Sequence, residues 1–252
     1  MAERKDIVRV LDDLLRPHLF KDYCPNGLQV EGCTEINKIV SGVTACQALI
    51  DQAIEQQADC ILVHHGIFWK GDSSVISGLK KNRIKALLDN DINLLAYHLP
   101  IDAHDRMGNN VQLAARLGIE IIGPMAGTGS PEIAMVGQLA EPLPIKVFGR
   151  RVEEALGRVP QLIECGDHQI KNIAWCTGAA QGYIEQACDY GVDAYLSGEI
   201  SEPTVHVARE NGVHYIAAGH HATERYGVQA VAEYLALTFG LEHQFIDIDN
   251  PA

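Results

Sequence analysis

The sequence predicts an α/β protein made of two similar α/β modules, each about half of the 252-residue chain. Short apolar runs alternate with amphipathic stretches, the pattern of strands joined by helical crossovers in a mostly parallel, helix-covered sheet. The segment 38-KIVSGVTACQALIDQAIEQQADCILVHH-65 recurs as 171-KNIAWCTGAAQGYIEQACDYGVDAYLSGE-199, in register after one inserted residue. Within it Asp51-Gln52-Ala53 matches Glu185-Gln186-Ala187, and Asp59 matches Asp193 ahead of a second apolar strand. The next stretches also correspond: 92-INLLAYHLPID-102 resembles 213-VHYIAAGHHATE-224, and Val111-Gln112 matches Val228-Gln229 in the helix that follows each.

In chain order, Ile7, Val10, Leu11, Leu14 and Leu15 stand at helical spacing and Pro17 ends that first helix. Each repeat then opens on a short apolar strand and a threonine, and passes through an amphipathic helix to a second apolar strand. In the first copy that strand is Cys60 to Val63, running into His64, His65 and the turn residue Gly66. Further strands are expected over Asn93 to Tyr97 and Tyr215 to Gly219. The cluster 127-GTGSP-131 marks the expected junction, giving modules 1–126 and 127–252. The run 106-RMGNN-110 reads as turn and helix-cap residues in preference to a phosphate-binding loop.

Composition narrows the function classes. Apolar content of 47% and charged content of 21% are ordinary globular values. The excess of 33 acidic over 20 basic residues, a formal charge of −13, argues against a broad electrostatic grip on nucleic acid. No aromatic–basic interleaving of the base-stacking kind appears. The N-terminus reads as a helix and not as a signal peptide, and no uncharged run approaches the roughly 18 residues that span a bilayer. Seven cysteines without a CxxC pair are expected as free thiols in a reducing cytosol. A cytoplasmic protein with no membrane partner is the expectation.

The chemistry gathers at strand ends. His98 is followed four residues later by Asp102, and its repeat-mate His220 four residues later by Glu224. Imidazole and carboxylate at that spacing share one face of a helical turn, which suits chelation of a cation. His64 and His65 close another strand, and open α/β sheets bind ligands beyond the carboxyl ends of their strands. Neighbouring side chains diverge along a strand, so two adjacent histidines suit two different ions more than one. Imidazole and carboxylate donors suit Zn, Fe, Mn, Co or Ni, and nothing in the pattern selects among them. No dinucleotide or P-loop glycine motif competes.

The motifs 25-PNGLQVEG-32, 63-VHHGIFWKG-71, 98-HLPIDAHDRMGNN-110 and 219-GHHATERYG-227 resemble the NIF3-like family, also called GTP cyclohydrolase 1 type 2 homologs, in its short bacterial, YbgI-type branch. The resemblance runs over the whole chain in order; longer members carry an extra domain for which this chain has no room. It implies a fold of two α/β halves around a central dinuclear metal cleft, and two divalent metal ions per chain. His64 and His65 would bind separate ions, with Asp102 and His220 as further ligands and Glu224 bridging. It also implies a toroidal homohexamer. His98 is not a ligand in the family pattern, so its expected place is beside the ligands, orienting Asp102 or the substrate. His221 is expected to be structural or substrate-facing, His104, His206 and His214 to be surface or packing residues, and Arg225, Tyr226 and Asn26 to Gln29 to line the cleft.

Two functions remain open at this level. One is a dinuclear metal-dependent hydrolase with His98 as the catalytic proton carrier. Its substrate would be a small molecule: GTP, as the family label proposes, or another nucleotide or phosphoester. The other is a non-catalytic, ring-shaped metal-binding scaffold or metal-handling protein.

Overall fold

A computed structural model describes residues 1–252 as two compact units, 1–101 with 227–249 and 102–226 with 250–252. The first begins with the short strand Ala2–Glu3, antiparallel to Glu35–Ile36, and the helix Arg4–Leu15, which buries Ile7, Leu11 and Leu15, one apolar residue per turn along a single stripe. Arg16 leaves that helix in the left-handed conformation and Pro17 follows. Five strands make the sheet, in the order Glu242–Phe245, Lys38–Thr44, Cys60–His65, Asn93–Ala96 and Gly27–Val30. The first four are parallel and the last is an antiparallel edge.

The inner strands read as continuous apolar runs because both faces are covered. Val40, Ile61, Val63 and Leu94 share one core with Leu49 and Ile50 of the crossover helix Gln47–Glu55. Gly42 lets that helix sit directly on the sheet: a Cβ there would meet Leu49 Cδ2 at 2.6 Å. The polar Asn93 is buried as well, and its amide ties two loops together. It donates to the carbonyls of Cys33 and Asp59 at 2.8 and 3.1 Å and accepts the Gly32 N–H at 2.9 Å.

The second unit has six strands in the order Ile119–Pro124, Met135–Leu143, Ile170–Cys176, Ala194–Ser197, His214–Ala217 and Gln161–Ile163. Its parallel centre, Ile170–Cys176 beside Ala194–Ser197 beside His214–Ala217, follows the chain order of Lys38–Thr44, Cys60–His65 and Asn93–Ala96. The internal repeat is therefore a repeat of structure. Phe148, Val152, Trp175 and Ile216 fill one core of this unit, and Tyr195 and Tyr215 belong to the other. Trp175 donates its indole N–H to the Asn110 carbonyl at 3.0 Å, which satisfies the one polar atom of a fully buried side chain.

Two features differ from the sequence reading. Around the parallel centre, the second sheet adds three antiparallel neighbours, so only the first sheet is mostly parallel. The glycine-rich stretch 127–131 connects Ile119–Pro124 to its antiparallel partner Met135–Leu143, with Ile119 opposite Leu139 and Pro124 opposite Met135. It thus lies inside one sheet, and the compact units are drawn differently from the halves 1–126 and 127–252. The cause at the other end is the last strand, Glu242–Phe245, which pairs with Lys38–Thr44 and returns the chain to the first sheet.

Each unit holds its own apolar core, so folding does not depend on a bound ion in the way a zinc finger's does. Exhaustive chelation is expected to leave the far-ultraviolet circular dichroism spectrum and a cooperative thermal transition in place. Chelated protein that is unfolded at 25 °C would contradict this.

Candidate metal centre

In the first unit the strand Cys60–His65 continues through both histidines, with His65 opposite Thr44 in the parallel register. His64 is fully buried, its Nδ1 3.2 Å from the Tyr97 carbonyl oxygen. A carbonyl can only accept, so Nδ1 carries the proton and Nε2 keeps a lone pair. His65 is half-buried, with Nδ1 3.1 Å from Thr44 Oγ1. The two rings are 4.6 Å apart between centroids.

His98 follows the strand Asn93–Ala96, and its ring centroid is 5.0 Å from His64 and 5.6 Å from His65. One ligand atom from each of these three histidines lies within 4.8 Å of the others. Gly66, directly after the pair, has room only for a hydrogen: a Cβ would meet Gln29 Oε1 at 2.2 Å. That same oxygen accepts the Ile67 N–H at 2.8 Å, so Gln29 buttresses the turn beyond the histidines.

In the second unit Asp102 sits in the short helix Leu99–Ala103, and its Oδ1 accepts from Asn109 Nδ2 at 2.8 Å and Thr177 Oγ1 at 3.2 Å. Asn109 and Asn110 are not caps. They are the buried first residues of the helix Asn109–Leu117, whose cap is Gly108. Asn110 Nδ2 also reaches the Asp102 carbonyl at 3.3 Å, and its Oδ1 takes the Thr177 N–H at 3.1 Å.

His220 and Glu224 occupy the first turns of the helix His220–Phe239, with His220 Nε2 3.1 Å from Glu224 Oε2. The other imidazole nitrogen, Nδ1, is 2.7 Å from Glu199 Oε1. Asp102 is 6% exposed and Glu224 3%, and a carboxylate oxygen of each lies within 4.8 Å of the other. Burial alone would pull the His220 imidazole down, but hydrogen bonds and charge from Glu224 and Glu199 carry it up to about 9. Without a metal ion, a proton on His220 partly offsets this concentration of negative charge.

Gly178, at φ +69°, makes the close packing around Glu224 possible. A Cβ there would lie 2.0 Å from Glu224 Oε1 and 3.3 Å from His220 Nε2.

Other histidines make contacts of their own. His104 Nδ1 accepts the N–H groups of Arg106 and Met107, and His206 pairs with Glu202 on an exposed helix. His214 is buried, takes the Cys165 N–H and stacks on His168 at 3.9 Å. The His221 backbone N–H donates to the Ala252 carbonyl at 3.3 Å. Arg225 donates to the Leu156 carbonyl and Tyr226 to that of Ala155, while the Arg116 guanidinium lies 3.7 Å over the Tyr226 ring.

Sequence reasoning missed Asp22, Thr177, Gly178 and Glu199. Glu199 had a signal, because the repeat alignment sets it against His65. Asp22 had none: it precedes the repeat and belongs to no periodic pattern.

The donor set fits divalent transition metals. In the first unit, imidazoles whose Nδ1 is engaged leave Nε2 for a metal; in the second, the His220 imidazole and the buried carboxylates of Asp102 and Glu224 suit a cation.

A family model described as Duf34/NIF3 (NGG1p interacting factor 3) matches residues 2–251. A Pseudomonas aeruginosa protein named "GTP cyclohydrolase 1 type 2 homolog" is 58% identical over 246 residues, covering 98% of this chain and 97% of its own. Among solved structures, protein ybgI, described as of unknown function, superposes with a TM-score of 0.96 at 47% identity over 100% of both chains. A Thermus thermophilus protein does so at 0.89 and 33%, again over 100% of both.

Gly178→Ala is expected to push the Glu224 carboxylate aside, since that side-chain end is the movable partner. The left-handed φ adds a strain of about 1 kcal/mol. Metal content by mass spectrometry should fall sharply while the melting temperature changes by only a few degrees; full metal content would contradict the packing described.

His220 and Asp22 give opposite pH signatures in metal-free protein. His220, raised from 6.5 to about 9, contributes stability that is complete below pH 6.5 and lost as pH rises through 9. Asp22, whose Oδ1 lies 2.7 Å from His98 Nδ1, is lowered from 3.8 to about 2 because hydrogen bonds and charge from His98 outweigh its burial; it contributes stability present above pH 3.8 and lost as pH falls through 2. Urea midpoints of chelated wild type, His220→Gln and Asp22→Asn across pH 2–10 should show each dependence vanish with its own residue.

Proposed function

The chain belongs to the Duf34/NIF3 family, and from that premise we propose that it is a dinuclear metal-dependent hydrolase acting on a nucleotide or another phosphoester. The observation that carries this reading is the pair of buried carboxylates, Asp102 and Glu224, within 4.8 Å of each other. Buried like charges at that range call for a cation, and a centre of this kind holds catalytic ions more naturally than a structural Cys-rich one.

The proposed ligands are His64 and His65 for separate ions, Asp102 and His220 for one each, and Glu224 for both. Five ligands exceed the needs of one tetrahedral site, which supports two ions per chain. When bound, the ions would lower the pKa of water and polarise the bond under attack.

The chain's own residues supply the rest. Thr177 and Asn109 fix the Asp102 carboxylate by donating to Oδ1. Glu199 holds the His220 ring through Nδ1 and so aims Nε2 toward Glu224. His98, whose ring lies near both His64 and His65, is the proposed proton carrier, accepting from the attacking water and returning a proton to the leaving group. The name shared by the curated relatives supports GTP as a candidate substrate. The family resemblance supports a toroidal homohexamer, and the free cysteines support a reducing, cytoplasmic setting. No helix is long and apolar enough to cross a membrane.

Metal-loaded protein is expected to turn over at least one member of a nucleotide and phosphoester panel, with activity lost on chelation. Glu224→Ala should deplete both ions and abolish turnover. His65→Ala and His64→Ala should each empty one position, and different ones. His98→Ala should keep both ions, with about a 10- to 100-fold loss of activity. Absence of turnover by the replete wild type across the panel would favour the non-catalytic metal-binding scaffold.

A further inference from the structure

We propose that Asp22 is a positioning residue for His98, holding the ring as the Nδ1–H tautomer so that Nε2 is the nitrogen offered to substrate or water. The proposal rests on the hydrolase reading for its catalytic meaning, and on the geometry of the first unit for everything else.

The Asp22 carboxylate is 3% exposed, and its Oδ1 lies 2.7 Å from His98 Nδ1. Oδ1 also accepts the Tyr23 N–H at 2.6 Å, and Oδ2 accepts Asn26 Nδ2 at 2.9 Å and the Leu99 N–H at 3.0 Å. Asn26 in turn accepts the His98 N–H through Oδ1 at 2.7 Å, so one asparagine ties the carboxylate to the backbone of the histidine it serves. Besides the Cys24 thiol at 3.9 Å, Asp22 has four N–H partners, and three of them cannot become acceptors, since two are backbone N–H groups and the third is an amide NH₂. The carboxylate is therefore kept in its accepting form; against burial, the hydrogen bond and charge of His98, then the Asn26 amide and the Tyr23 N–H, bring Asp22 down to about 2. Facing such an acceptor, the neutral His98 ring must place its hydrogen on Nδ1.

Two further observations favour this reading. The repeat-mate His220 has the same arrangement in its own unit, Nδ1 on a carboxylate at 2.7 Å. Trp69 approaches the His98 ring edge-on at 5.2 Å between centroids, and its own N–H is directed to the Gly66 carbonyl at 3.3 Å. The indole thus packs beside the imidazole while its N–H is used elsewhere, leaving the Asp22 contact to set the tautomer.

A cation held by Asp22, Cys24 and His98, whose ligand atoms lie within 4.8 Å of one another, is the rival use of this corner. It fits poorly, because the carboxylate already accepts four N–H groups and the Cys24 thiol is pushed up to about 12 by burial and then by Asp22.

An asparagine at position 22 cannot satisfy this frame. Its NH₂ group would face either the Leu99 and Asn26 donors or the Tyr23 donor. In the second orientation it would donate to His98 Nδ1 and reverse the tautomer. Long-range ¹H–¹⁵N spectra of labelled, chelated protein read the ring directly, with His98→Gln assigning the resonance, at a pH where the ring is neutral. Wild type is expected to show a protonated Nδ1 and a bare Nε2, and Asp22→Asn to show Nε2–H or a mixture. Asp22→Asn should retain its full metal content while losing at least about tenfold in kcat, with KM little changed.

A wild-type spectrum with the hydrogen on Nε2 overturns the proposal, and so does an unchanged tautomer in a folded Asp22→Asn. If that variant does not fold, the wild-type spectrum decides alone. Failure to find any turnover in the wild type would sink the hydrolase reading and leave the tautomer result standing, so the two failures are distinguishable.

Discussion

Two carboxylates buried within 4.8 Å of each other are costly in a protein interior, and much of the second unit is arranged around that cost. An ionised group taken from water needs either hydrogen bonds to its charged form or an opposite charge beside it. Asp102 receives donors from Asn109 and Thr177. Glu224 faces His220, which two glutamates hold up to about 9. Gly178 gives up its side chain so that the Glu224 carboxylate has somewhere to lie. A divalent cation would answer the same charge more fully than a proton.

The histidines obey a second, related constraint. His64, His65, His98 and His220 each engage Nδ1 with an oxygen: a carbonyl, a hydroxyl, and two carboxylates. Fixing Nδ1 decides which nitrogen remains, and holding the ring in one orientation avoids that ordering cost when a ligand arrives. The partners grade from neutral to charged. The His220 ring, held at Nδ1 by the Glu199 carboxylate, has a counterion already in place for a developing positive charge.

Much of this was legible in the sequence, for identifiable reasons. The repeat appeared because strand–helix–strand units with matched acidic and apolar positions impose matched residues, and the parallel centres of both sheets follow from it. His64, His65, His98, Asp102, His220 and Glu224 stood out because they close apolar strands or sit one turn beyond them. The antiparallel additions to the second sheet were not visible. A loop rich in Gly, Ser and Pro reads the same whether it joins domains or two strands of one sheet. Asn109 and Asn110 were misread because an asparagine near a helix start is usually a cap, and only the fold reveals that both are buried against Asp102. Asp22 was invisible for a simpler reason. It lies 76 residues from His98 in the chain, and such pairings are made by tertiary structure alone.

His64, His65, Asp102, His220 and Glu224 are proposed to hold two metal ions in each chain. Anomalous diffraction from crystals of metal-replete protein, recorded on both sides of the metal's absorption edge, tests it most directly. The account predicts two anomalous peaks per chain, one beside His64 and the other beside His65, with Glu224 touching both and His98 touching neither. A single peak, no peak, or a peak ligated by His98 in place of Glu224 would contradict it.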